Sequence, residues 1–293
     1  MIGTTRARSG FLAVMATSVV SCAPSGPTVP PITPEPTGEY HPGKFVWYDL
    51  LTEDLDRAKR FYGELLGWEF EDEPDDDYAT VLLRGRPIGG MAVVERREES
   101  SISQWVSWLS VPDVDEAVQR AESAGADILR GPEELEGRGR FAVLTDPQGA
   151  LLALVRSATG DPADREPDYG SWFWTELWTD DVPAATSFYD NLTQWERSTA
   201  GEAVLEDYIV FRREDRPRAG VIEIEWEGVR PHWLPYIRVR DPAAIAARVE
   251  SLGGRVVLEP SPDIRNGSVG LVLDPSGAVF AIQQWPVEQG GGI

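Results

Sequence analysis

Two stretches of this chain are copies of one another. FVWYDLLTEDLDRAKRFYGELLGWEF (45–70) aligns without gaps on WFWTELWTDDVPAATSFYDNLTQWER (172–197), 127 positions further on. Trp47 matches Trp174, Leu50 matches Leu177, Asp54 matches Asp181, Phe61-Tyr62 matches Phe188-Tyr189, and Trp68 matches Trp195. The correspondence resumes at an offset of 128, where Trp105 and Asp113 meet Trp233 and Asp241. Asp146-Pro147-Gln148-Gly149-Ala150 then meets Asp274-Pro275-Ser276-Gly277-Ala278. A repeat of this length is a duplicated domain, and the whole fold has to be built twice. The copies span 44–157 and 171–287, joined by a linker at 158–170 (ATGDPADREPDYG) that is rich in Pro, Gly and Asp. Residues 288–293 form a short tail.

Within each copy the hydrophobic period switches between strand and helix. Residues 45–51 alternate as a half-buried strand does. Asp54 then caps a helix with apolar positions Leu55, Ala58, Phe61, Tyr62, Leu65 and Leu66, which Gly67 ends. Strands follow near 79–83 and 89–94. A second round opens with a strand at 104–111 and a helix from Asp113, stopped by Gly125, and the strands 126–129, 140–144 and 151–156 close the domain. Pro242 suits the first turn of the matching helix in the second copy. The order is βαβββ twice per domain, an α+β class.

The motifs T-x-D-(L/V)-x-x-A-x-x-F-Y-x-x-L after the first strand and D-P-x-G-A before the last each occur twice, in register. They resemble the vicinal oxygen chelate superfamily of glyoxalases, bleomycin-resistance proteins and extradiol dioxygenases. The resemblance implies tandem glyoxalase-like domains made of paired βαβββ modules that form open, U-shaped barrels. In homodimeric members the front half of one copy pairs with the rear half of the other. Here the fused copies could do so within one chain, giving a monomer that is a pseudo-dimer.

Active members of that family hold a divalent metal, and this sequence departs from their pattern. Counting from the capping and D-P-x-G aspartates, the family's ligand positions fall on Trp47, Val106, Trp174, Leu234, Ala153 and Ala281. The remaining position falls in the region of Gly89–Met91 and of Gly220–Val221. None of these supplies the imidazole or carboxylate such an ion needs. No metal and no other cofactor is expected. The chain has only two histidines, His41 and His232, and a single cysteine. That excludes histidine-rich centres, disulfide frameworks and thiolate zinc sites.

Alternation along the same strands predicts what lines the cavities instead. Trp47, Asp49 and Trp108 face inward in the first domain. Trp174, Glu176, Trp178, Tyr236, Arg238 and Gln283 do so in the second. Aromatic walls around one carboxylate suit a small-molecule pocket, particularly for a cationic or amine-bearing ligand. The same residues could equally fill a closed barrel, with each carboxylate paired to an arginine such as Arg238 or to backbone amides.

The N-terminus reads as an export segment. Arg6 and Arg8 precede the apolar run Phe11–Val20, too short to span a membrane, and the run ends in Val19-Val20-Ser21-Cys22. This resembles a bacterial lipoprotein signal over residues 1–21, with Cys22 as the lipidated residue. Residues 22–43, with prolines at 24, 27, 30, 31, 34, 36 and 42, read as an extended tether, and His41 in it as a solvated residue. The expected place is the cell envelope, anchored through lipid. Asp plus Glu outnumber Lys plus Arg by 49 to 27, for a net charge of −22. That repels phosphate backbones and excludes nucleic acid as the main partner. Three functions stay open. The first is a metal-free small-molecule binder of the glyoxalase and bleomycin-resistance type. The second is a lyase or isomerase with a non-standard site. The third is a structural or interaction protein with filled barrels.

Overall fold

The computed structural model describes residues 29–74, 77–94, 103–199 and 208–286. The signal segment 1–21, Cys22 and the tail 288–293 lie outside the described residues. Among the described residues, no helix is long and apolar enough to cross a membrane.

Domain 1 runs β1 (Phe45–Thr52), α1 (Leu55–Leu66), β2 (Glu69–Asp72), β3 (Tyr78–Leu83) and β4 (Arg86–Val93). It continues with β5 (Gln104–Ser110), α2 (Val114–Ser123), β6 (Asp127–Leu135), β7 (Gly139–Thr145) and β8 (Leu151–Ser157). Domain 2 repeats this as β9 (Trp172–Thr179), α3 (Val182–Thr193), β10 (Glu196–Thr199), β11 (Ile209–Arg213) and β12 (Arg216–Glu223). Its second module is β13 (His232–Arg238), α4 (Pro242–Val249), β14 (Arg255–Leu258), β15 (Val269–Leu273) and β16 (Val279–Gln283). The βαβββ order thus appears four times. Among the described residues the four α-helices start on the aspartates read from the sequence: Asp54, Asp113, Asp181 and Asp241 each accept an amide of the first turn. Pro242 stands in the first turn of α4. The strands β2 and β10 escaped the sequence reading because they are short edge strands; β2 is mostly exposed and carries little apolar pattern.

Each domain makes one eight-stranded mixed sheet, ordered β2-β3-β4-β1-β5-β8-β7-β6 and β10-β11-β12-β9-β13-β16-β15-β14. The halves therefore pair within a copy, not across copies as the family's homodimers suggested. β5 lies directly beside β1 and pairs with it antiparallel. The sheets are open, with β2 and β6 as the edges of the first. They are nevertheless curled: Arg138, between β6 and β7, donates to the Tyr78 hydroxyl on β3 from across the sheet.

The faces that carry the helices share one core between domains. Tyr48 stacks on Trp172 at 4.6 Å, Phe45 meets Trp233 at 4.9 Å, and α2 packs on α3 as α1 does on α4. The opposite, inner face of each sheet holds a separate apolar cluster.

Residues 29–43 correct the tether expectation. They are not free but lie against domain 1 and its linker. Thr37 N–H and Asp161 N–H donate to the Thr159 and Glu39 carbonyls, and His41 N–H donates to Asp161. His41 is accordingly not a solvated residue; its side chain is about three-quarters buried, beside Asp164. Ile32, only 2% exposed, joins the inner-face cluster of domain 1. Burying one such side chain contributes about 1.5–3 kcal/mol. Proline content favours an extended backbone but does not say where that backbone lies.

Candidate functional site

On β1 the pleat turns Trp47 and Asp49 to the inner face. Asp49 Oδ1 accepts from the Trp47 indole at 2.8 Å and from the Tyr78 hydroxyl at 2.7 Å. Arg138 is held in the β6–β7 turn between Gly137 and Gly139, whose φ angles are +81° and +107°. The turn sends its fully buried side chain back over the sheet. The guanidinium lies 4.3 Å from the Trp47 ring and 5.0 Å from the Trp108 ring. It donates to the Tyr78 hydroxyl at 3.1 Å, and its Nη1 stands 3.9 Å from Asp49 Oδ2. Burial, and then the charge of Asp49, push the Tyr78 hydroxyl far above its ordinary range. It stays protonated and keeps donating to the carboxylate.

Domain 2 builds the same centre more tightly. Glu176 is fully buried and accepts four hydrogen bonds. They come from the Trp178 indole at 3.1 Å, the Tyr208 hydroxyl at 2.6 Å, Arg265 Nη2 at 3.0 Å and the Tyr236 hydroxyl. Burial pushes this carboxyl up, but the Arg265 charge and the two tyrosine bonds outweigh it, and it lies below the usual glutamate value. Burial opposes the Arg265 charge in turn, and Glu176 more than restores it. Trp174 completes the group by donating to Tyr208 at 2.8 Å. Trp178 stacks on Trp226 at 5.1 Å, and Phe173 lies between Tyr236 and Trp285.

These residues do not fit the metal that the fold family implies. A β-carbon at Gly90 would collide with the Tyr78 hydroxyl and ring, and one at Gly220 would collide with those of Tyr208. The space of a fourth-strand ligand is taken by a phenol. Indole, aliphatic and glycine positions fill the other places, and the one carboxylate present in each centre is occupied by N–H and O–H donors.

Of the residues read from the sequence, Trp47, Asp49 and Trp108 come together in domain 1, and Trp174, Glu176, Trp178 and Tyr236 in domain 2. Arg238 and Gln283 do not join Glu176. Arg238 donates to the Trp285 carbonyl at 2.6 Å and to the Pro167 carbonyl, pairs with Glu166 at 2.7 Å and lies over Tyr169. It fastens the linker to domain 2. Gln283 is buried beside Arg238 in the β13–β16 pairing. His232 keeps a backbone partner, the Arg230 carbonyl at 2.8 Å, and burial lowers its pKa. The sequence reading misses Tyr78, Tyr208, Arg138 and Arg265. The tyrosines correspond only at an offset of 130, and Arg265 aligns one position away from Arg138. A gapped alignment of the two copies would have shown the tyrosine pair.

Paired βαβββ modules with an inner-face polar centre define a tandem glyoxalase-type architecture, and comparison with known proteins agrees. The profile of the Glyoxalase/Bleomycin resistance protein/Dioxygenase superfamily matches residues 44–154. The candidate glyoxylase CFP32 of Mycobacterium tuberculosis is 30% identical over 249 residues, covering 83% of this chain and 95% of that protein. The anthracycline biosynthesis protein DauV of Streptomyces sp. (strain C5) is 31% identical, covering 83% of this chain and 94% of its own. Among solved structures, the Mn(II)-bound glyoxalase of Novosphingobium aromaticivorans superposes with a TM-score of 0.60 at 15% identity, over 83% of this chain and 82% of that one. The 2,3-dioxygenase LapB of Pseudomonas sp. KL28 gives 0.58 at 12% identity, over 87% and 94%. The chain belongs to the glyoxalase/bleomycin resistance/dioxygenase superfamily.

Proposed function

We propose that this chain is a metal-free member of its superfamily that binds a flat aromatic molecule on the inner face of domain 2. The observation that carries this reading is an asymmetry between the two inner faces. Ile32 fills the first. The second, among the described residues, is bordered by rings that keep exposed surface: Phe173 and Trp174, Trp226 at 49% and Trp285 at 44%. Rings with one face packed and one face open give stacking area at little conformational cost. The Arg265–Glu176 pair forms the polar floor. The 31% identity to an anthracycline biosynthesis protein supports a planar, polycyclic ligand class.

Binding is favoured over general-base catalysis by the state of Glu176. A base needs an open lone pair and a raised pKa. Glu176 has four donors and a lowered pKa, which makes it the keystone of the floor and not a proton acceptor. Calorimetric titration with hydroxylated anthraquinones tests the reading. Saturable binding should weaken at least about tenfold in Trp226→Ala, the loss of one stacking contact worth roughly 1.4 kcal/mol. No saturable binding across the panel, or equal binding by the variant, would refute it.

The envelope location belongs to the same reading. Lipidation at Cys22 would put the protein in the membrane fraction, and Cys22→Ser would release it. A wild-type protein recovered wholly in the soluble fraction counts against the anchor.

A further inference from the structure

The inner face of domain 1 is filled, but by a segment that does not complete it. Ile32 sits in the cluster formed by Trp47, Trp108, Phe141 and Val155. The Pro30 carbonyl accepts from Arg138 Nε at 3.1 Å. Two other buried donors beside it, Arg138 Nη1 and Trp108 Nε1, have no hydrogen-bond partner among the described residues. Buried N–H groups are rarely left unpaired, and where they are, an acceptor that can reach them is favoured.

The segment is held lightly for something so well covered. Pro30 and Pro31 have no N–H to pair, and residues 29–33 join neither sheet. Beyond the Pro30 carbonyl, the side-chain bonds here run from Thr33 to Thr159 and Gly160. The domain surface is nonetheless shaped for it. A β-carbon at Gly137 would stand 2.5 Å from the Val29 carbonyl oxygen, so only glycine lets the strap cross there. Among the described residues the second copy has no counterpart, and its preceding linker is fastened elsewhere, by Arg238.

We propose that residues 29–33 are an exchangeable occupant of the first inner face, standing where a neutral, carbonyl-bearing apolar molecule binds. The strap imitates such a ligand, with Ile32 as its apolar part and the Pro30 carbonyl as its acceptor. A small amide, ketone or quinone can place its oxygen on the N–H groups that the strap leaves unpaired. A carboxylate is disfavoured, since Asp49 already stands 3.9 Å from Arg138 Nη1 and would repel it. The strap sets the threshold: the apparent affinity for the ligand falls by the fraction of molecules in which the face is open. This site is separate from the one proposed on domain 2, and either can fail alone.

The test uses the full chain and hexanamide as probe, followed by ligand-observed magnetic resonance and tryptophan fluorescence. Ile32→Ser should bind hexanamide at least about tenfold more tightly than wild type, as expected if the strap keeps the face closed in nine molecules of ten. Hexanoate should show no such gain. Adding Trp108→Phe, which keeps an aromatic ring, though a smaller one, and removes the unpaired N–H, should reverse much of the gain. Ile32→Asp, which puts a charged carboxylate into the apolar cluster, should release the strap more fully and remain folded. Equal affinity in wild type and Ile32→Ser, or a gain indifferent to Trp108→Phe, overturns the proposal. So does loss of cooperative folding in both Ile32 variants, because the segment is then core.

Discussion

The Tyr62 hydroxyl on helix α1 of domain 1 donates across the domain boundary to Asp274 Oδ2, 3.3 Å away. Its counterpart in the second copy, Tyr189, donates to Asp146 at 3.0 Å in the reverse direction. Each tyrosine also receives an indole N–H, from Trp105 at 2.9 Å and from Trp233 at 2.8 Å. Each aspartate accepts two amides of its own D-P-x-G turn. The two most recognisable motifs of the repeat are therefore partners of one another, in trans between copies.

Replacing either tyrosine by phenylalanine leaves one buried carboxylate oxygen and one buried indole N–H without their partner. Tyr62→Phe and Tyr189→Phe should each destabilise the chain by about 1–3 kcal/mol. Denaturant unfolding checks this, and the double variant should lose close to the sum, since the two locks share no partner.

Glu176 and Asp49 occupy matching places but should differ in their energetic weight. Glu176 faces Arg265 at 3.0 Å, whereas Arg138 Nη1 stands off from Asp49 at 3.9 Å. Glu176→Gln leaves a buried guanidinium without its anion and should cost roughly 3–5 kcal/mol. Asp49→Asn should cost about 1–3 kcal/mol, the scale of a buried hydrogen-bond partner lost. Thermal and chemical melts of the two variants order them.

Acid should act through Glu176. Its carboxyl is held below the usual value, so the unfolded chain takes up this proton first as pH falls. The contribution is fully present above about pH 4.3, the ordinary glutamate value, and is lost as pH falls through the folded pKa. Stability measured from pH 6 to pH 2 should therefore decline less steeply in Glu176→Gln than in wild type. Parallel curves would remove this pairing from the account of acid unfolding.

Added Mn2+, Zn2+ or Ni2+ should leave the melting midpoint where it is, as should a chelator. A ligand that binds only the folded chain at 100 times its dissociation constant would add about 2.7 kcal/mol. Such a shift, if seen with any of these ions, would show donors that Trp47, Gly90 and their counterparts do not provide.

The fold was legible because its determinants are local. Asp54, Asp113, Asp181 and Asp241 announce the four helix starts, and Gly67 ends α1 in the left-handed region with φ +74°. Period-two alternation put Asp49 and Glu176 on the correct face. What it could not supply is who reaches them. Arg138 and Arg265 arrive from connections whose path depends on positive-φ turns, and Arg265 itself adopts φ +45°. Arg238, the arginine that alternation did suggest, is drawn off by the linker carbonyls. Ile32 lay in a stretch whose composition described its backbone and was silent about its destination.

The two glycines on β4 and β12 bear on how such a chain could change over time. At Gly90 and Gly220 any larger residue collides with a tyrosine, and without that tyrosine its buried carboxylate loses a donor. Gaining a metal ligand there would need the glycine and the tyrosine exchanged together, since each substitution alone lowers stability before it gains a ligand. The phenol thus works as a ratchet, and routes to new chemistry that leave it in place, by altering the rim or the strap, are shorter.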